Sequence, residues 1–239
     1  KRKGESILSN ELMLLAELLV VYALILVFWR LWGKVGLVCW LGIATILANI
    51  EVLILVDAFT LEQTLGNILF ASTFIATDIL SENTDEKFTK KAVNLSIMTS
   101  VVFIVISQMW LLYTPNANDW ASPSFHTLFS NTPRLLLSGL VVFAIVQRLD
   151  IWLYHKWWSF TAKRGDAHAF LWLRNNGSTL ISQLVNAFLY NFLAFGGMYE
   201  LPTLISICLS SYLVFLVMAL LDTPIVYIAR LWHEKYKID

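Results

Sequence analysis

Residues 203–229 read TLISICLSSYLVFLVMALLDTPIVYIA. A helix that crosses a bilayer needs about 20 mostly apolar residues. This run exceeds that, with one acid, Asp222, and one proline, Pro224, near its end. Working back along the chain, six more runs of this kind stand at 11–29, 35–56, 62–80, 92–113, 132–154 and 176–196. The expected fold is an all-α membrane protein, a bundle of seven transmembrane helices. If the first run, which carries Glu11 and Glu17, is accessory, the count becomes six plus one. Connections are short, so residues 1–239 read as a single integral membrane domain.

Composition agrees. Of 239 residues, 58% are hydrophobic and 14% charged, against about 25% charged in a soluble domain. A folded chain of this size still exposes roughly a quarter to a third of its unfolded surface, so much of the apolar surface must meet a lipid bilayer. A soluble enzyme, a disordered chain and a disulfide scaffold are excluded. Net charge is zero, which gives no field for a nucleic-acid partner. Cys39 and Cys208 sit in apolar runs and read as small buried hydrophobes. No HExxH, paired CxxC, P-loop or GxSxG pattern occurs, so no metal, cofactor or catalytic residue is expected. The first apolar run is too long for a cleavable signal.

Lys and Arg counted on alternate sides set the orientation. Twelve fall on one side: Arg30, Lys34, Lys87, Lys90, Lys91, Lys156, Lys163, Arg164, Arg174, Arg230, Lys235 and Lys237. Four fall on the other: Lys1, Arg2, Lys3 and Arg134. The N-terminus is therefore expected outside and the C-terminus in the cytoplasm. Residues 114–131, TPNANDWASPSFHTLFSN, read as an outer surface loop or the cap of an outward cavity. Trp29, Trp32, Trp110, Trp152, Trp157, Trp158, Trp172 and Trp232 read as an interfacial belt.

Charge at membrane depth costs on the order of 2.5–3.5 kcal/mol even on a lenient scale. Glu17, Glu51, Asp78, Arg148, Asp150 and Asp222, with the amides Asn49, Gln108, Gln147, Gln183, Asn186 and Asn191, are therefore expected to face the bundle interior or a wet cavity. Arg148 is expected to pair with Asp78, Asp150 or Asp222, which gives Arg148 and Asp222 a structural or coupling role. Pro224 can alternatively kink the last helix. Phe70, Phe74 and Tyr190 lie beside these polar positions and could stack on a planar ligand.

Several motifs resemble the queuosine-precursor transporter family, also called the vitamin-uptake family. They are Asn49-Ile50-Glu51, Gly66-Asn67-Ile68-Leu69, and the run from Ala71 through Asp78 to Glu82. Pro133-Arg134, Gln147-Arg148-Leu149-Asp150, Arg174-Asn175-Asn176-Gly177-Ser178-Thr179 with Ser182-Gln183, and Leu221-Asp222-Thr223-Pro224 complete the set. They cover about residues 45–230 in order. The resemblance implies a bacterial inner-membrane importer of a 7-deazaguanine such as preQ0, preQ1 or queuine, salvaged for tRNA modification. It also implies a compact core like that of the substrate-binding membrane components of energy-coupled vitamin transporters.

Asn49, Glu51, Phe74, Asp78, Gln147, Asp150, Asn176, Gln183 and Asn186 become the expected substrate-binding residues. A guanine-type edge offers N1–H and an amino group as donors and O6 as acceptor. A carboxylate matches the donors and an amide the acceptor. Protons are the expected coupling ion, and a homo-oligomer stays open. The second reading is a substrate-binding subunit energised by a separate ATPase. The sequence departs from the family at Asn186, where an Asp is usual. It also lacks the usual Lys near Tyr212-Leu213-Val214-Phe215, which is consistent with joint loss of an ion pair. The Asn83-Thr84 ending also departs.

Overall fold

The computed structural model describes residues 3–59, 61–130, 133–162 and 170–238. Lys1, Arg2, Lys163, Arg164 and His168 lie outside the described residues. The first two expected spans form one assigned helix, α1 (Lys3–Glu51), broken at Gly33 by φ 55° and ψ −138°. Only glycine adopts such a conformation cheaply. The two arms, 3–32 and 34–51, run antiparallel. A Cβ on Gly36 would lie 2.3 Å from the Phe28 carbonyl oxygen, so the arms touch through bare backbone. At the far end the Asn10 side chain donates to Asp57 O at 3.1 Å, and the Phe59 amide donates to Glu11 Oε1 at 2.8 Å.

Asp57 and Phe59 belong to the connection between the second and third expected spans, and strands extend from it into the ends of both. Strands β1 (Leu55–Ala58) and β2 (Leu61–Thr64) pair antiparallel, with Asp57 opposite Glu62. The second and third spans are shorter than expected, ending at Glu51 and starting at Gly66, because the polar Glu62 and Gln63 and the neighbouring Asp57 fit an interfacial strand pair better than hydrocarbon.

Next comes α2 (Gly66–Asn83), in which the whole stretch Ala71–Glu82 is buried. It lies among the long apolar arms, namely both arms of α1 with α3 (Glu86–Trp110), α5 (Pro133–Ala162), α6 (Leu171–Phe195) and α7 (Leu201–Tyr236). The hydroxyls of Ser72, Thr73 and Thr77 bond back to Leu69, Phe70 and Phe74 carbonyls at 2.6, 2.6 and 2.9 Å. This satisfaction within the helix lets a hydroxyl-rich segment sit at the centre of the bundle. Asp85 caps α3 by accepting from the Phe88 amide at 2.7 Å.

The segment expected as loop carries a short helix, α4 (Ser122–Ser130). Asp119 starts it, accepting from the Ala121 and Ser122 amides and the Ser122 hydroxyl. The Ser122 hydroxyl and these amides hold the Asp119 carboxyl below its ordinary range. Phe129 is buried against Phe103 and Trp110. Helix α7 continues unbroken through Pro224.

The first arm is part of the main core. Leu14, Leu18, Val21 and Ile25 join its apolar cluster. Tyr22 and Trp29 donate to Met218 O and Ala229 O on α7, at 3.3 and 2.9 Å. Trp29 is fully buried and leaves the expected belt, because its ring fills the gap between α1 and α7 beside His233. Cys39 is exposed, unlike Cys208. Alternating helix directions bring Arg30, Lys34, Lys87, Lys90, Lys91, Lys156, Arg174, Arg230, Lys235 and Lys237 to one end. The hairpin and Arg134 share the other.

Candidate functional site

Three polar stripes face each other in the bundle. On α5, Phe143, Gln147, Asp150 and Tyr154 recur at three- and four-residue spacing. On α6, Arg174, Ser178, Ser182, Asn186 and Tyr190 recur every four. On α2, Phe70, Phe74, Asp78 and Glu82 do the same. Such spacing lines one face of a helix. Arg148 is off that face, since two residues from Asp150 means about 200° around the axis. It donates to Asn94 Oδ1 at 2.9 Å and Ala144 O at 3.2 Å. The expected pairing of Arg148 with Asp78, Asp150 or Asp222 does not form. Asp222 instead accepts from Asn175 Nδ2 at 3.0 Å.

A cavity of about 250 Å³ opens at the hairpin end between α1, α2, α5, α6 and α7. Asn49, Asn67, Asn186 and Asn191 supply amides to its wall, and Phe70, Phe143, Tyr190 and Phe215 supply rings. Among the described lining residues none carries a formal charge. Phe70 sits 6.0 and 6.1 Å, centroid to centroid, from Phe143 and Phe215. The Tyr190 hydroxyl is buried and has no partner among the described residues. Asn49 donates to Thr45 O at 2.7 Å and Asn186 to Gln183 Oε1 at 3.0 Å. Asn186 and Phe215 line the same wall, so the usual acid and the neighbourhood of the usual base fall in one place.

Of the expected binding residues, Asn49 and Asn186 reach the cavity. Phe74 packs behind Phe70 with Val142 and Val146. Gln147 stands one layer below the floor, donating to Thr73 Oγ1 at 2.7 Å and accepting from Thr77 at 3.2 Å. Gln183 supports Asn186 from beneath. Glu51 neighbours Glu17 of the first arm of α1 and is not in the wall. Asn176 donates to Trp172 O at 2.9 Å and Thr223 Oγ1 at 2.8 Å, a helix-packing position.

Beneath the cavity Asp78 accepts from Thr179 Oγ1 at 3.2 Å, and Asp150 from Ser182 Oγ at 2.7 Å. Thr179 and Ser182 stand one turn apart on α6, so these contacts bring two buried carboxyls, one from α2 and one from α5, against the same stretch of α6. Asp78 Oδ1 and Asp150 Oδ2 have no donor among the described residues.

Deeper still, Glu82 accepts two hydrogen bonds from Arg174, at 2.8 and 2.9 Å, and one from Tyr154 at 2.6 Å. Arg230 approaches Glu82 to 3.5 Å, and the Arg174 guanidinium lies 4.2 Å over the Trp158 ring. The sequence reading counted Arg174 among the terminal charges and missed this hub. The available signal was that Glu82 continues the Phe74–Asp78 stripe and Arg174 the Ser178–Ser182 stripe. Phe143 and Phe215 were also missed. Phe143 stands four residues before Gln147, whereas nothing in the apolar run around Phe215 marks it.

Residues 64–229 match the model of a family described as "Putative vitamin uptake transporter". The chain is 34% identical over 212 residues to the "Probable queuosine precursor transporter" of Bacillus subtilis (strain 168), covering 89% of this chain and 91% of that protein. No solved structure matches.

Proposed function

The chain belongs to the vitamin uptake transporter family, and on that footing we propose that it imports a queuosine precursor, a 7-deazaguanine base, across the bacterial inner membrane. It is a multi-pass membrane transporter. The observation that carries the substrate reading is the uncharged cavity, in which amides, an unpartnered Tyr190 hydroxyl and aromatic rings converge. Amide oxygens accept from the N1–H and amino donors of a guanine-type edge, and amide N–H groups donate to O6. The amides therefore take the part that a carboxylate was expected to play. Aromatic faces favour a flat ring. At about 250 Å³ the space lies below the roughly 300–1,000 Å³ of drug-sized sites, which suits a free base.

The lysine-rich end is cytoplasmic on the distribution of basic residues. The N-terminus is then outside, and the cavity faces outward. The Glu82 hub closes the inner end, so transport requires that hub to open as the outer mouth closes. Protons are the coupling ion in this reading. Two buried carboxyls on different helices, Asp78 and Asp150, are held one turn apart along α6 by Thr179 and Ser182, and like charges placed in one buried site favour keeping a proton on one of them.

The purified chain in liposomes, given radiolabelled preQ0, tests the reading. Saturable uptake that unlabelled preQ0 blocks and adenine does not is the expected result. Binding without transport would point instead to a subunit needing a separate ATPase.

A further inference from the structure

We propose that the cavity selects an uncharged 7-deazaguanine, the nitrile-bearing preQ0 type, over the ammonium-bearing preQ1 and queuine. The inference rests on the carrier reading above and sharpens its substrate class. The three bases share the guanine edge and differ at the 7-substituent. An alkyl amine there is protonated at neutral pH, as a lysine is, so preQ1 and queuine enter as cations and preQ0 enters neutral.

Every described residue in the wall is neutral: Asn49, Asn67, Asn186, Asn191, Tyr190 and Tyr199 are its polar members beside threonines, serines and Gln63. A cation leaving water for this space loses its hydration and meets no carboxylate. Faces of Phe70, Phe143 and Phe215 attract a cation, but a ring quadrupole recovers less than hydration costs. Arg134 stands at the rim, where its guanidinium donates to Leu193 O at 2.9 Å and Gly196 O at 2.7 Å, beside the lining residues Phe195 and Tyr199. Arg134 shares this end with Glu51, Asp57 and Glu200, so the discrimination rests on the neutral wall and not on the charge of the mouth. The carboxyls of Asp78 and Asp150 lie below the floor, bonded to Thr179 and Ser182, outside the wall.

Calorimetric titration of the detergent-purified chain with preQ0, preQ1 and uncharged 7-hydroxymethyl-7-deazaguanine decides the matter. The hydroxymethyl and aminomethyl compounds are nearly isosteric, so charge is isolated from size. The expected result is that preQ0 and the hydroxymethyl base bind at least about tenfold more tightly than preQ1. Asn186→Asp, which puts a carboxylate into the wall, should reverse that order. Equal or tighter binding of preQ1 by the unaltered chain overturns the charge rule and leaves the carrier reading standing. If none of the bases binds, the queuosine-precursor reading falls and takes the rule with it.

Discussion

Glu82 and Arg174, 92 residues apart in sequence, meet through two hydrogen bonds of 2.8 and 2.9 Å, with side chains 1% and 0% exposed. The pair joins α2 to α6 at the end opposite the cavity, and Tyr154 and Arg230 add α5 and α7. Removing one member leaves a buried charge without its partner, which costs about 3–5 kcal/mol. Glu82→Gln and Arg174→Met should each lower thermal stability in detergent by that order. The double change Glu82→Leu/Arg174→Leu should cost clearly less than the sum. An additive double variant would show that the two side chains do not act as a pair.

The cavity amides predict a different signature. A hydrogen bond to a neutral ligand contributes about 0.5–1.5 kcal/mol. Asn186→Ala and Asn49→Ala should therefore each weaken preQ0 binding by up to roughly tenfold while melting temperature stays close to that of the parent chain. Tyr190→Phe, which removes a hydroxyl with no partner among the described residues, should weaken preQ0 binding and leave stability unchanged or raised. Unaltered affinity in all three would take the ligand out of this cavity.

For Asp78 and Asp150 the expected loss is in energetic coupling. A proton gradient of one pH unit supplies about a tenfold driving force per proton. Parent proteoliposomes should concentrate preQ0 against its gradient when the outside is acid. Asp78→Asn and Asp150→Asn should abolish that accumulation, and Asp78→Glu, which keeps a titratable carboxyl, should retain its dependence on external pH. Accumulation driven by sodium at equal pH on both sides would transfer the coupling to another ion.

The turn within α1 depends on close backbone contact. Because a Cβ at Gly36 would stand 2.3 Å from Phe28 O, Gly36→Ala must spread the two arms, at a cost typical of overpacking, about 1–3 kcal/mol. A melting curve reads this directly, and an unchanged curve would mean that the arms separate freely.

Much of this molecule was legible from its residues. Runs such as 203–229 have one low-energy home, and their number and order follow from hydropathy. The polar positions were also legible, because a carboxyl such as Asp78 inside an apolar run is costly anywhere but the interior. Their grouping was not. Gln147, Arg148 and Asp150 fall within four residues, yet the helical turn sends Arg148 outward to Asn94 and the other two inward. Likewise the strand pair at 55–64 was absorbed in part into helices, because Leu55-Val56 extends the second apolar run and residues 62–64 were read as the start of the third.

Taken alone, the chain's composition and periodicity determined that it is a helical membrane protein with polar groups at depth, since burial cost depends on each residue's own chemistry. Only the tertiary structure decided that Asn49 and Asn186 share a cavity, that Asp78 and Asp150 lie beneath it, and that Glu82 ties Arg174 at the far end. Those partnerships join residues on different helices, and which stripes face one another is set by the packing of whole helices, which no local pattern encodes.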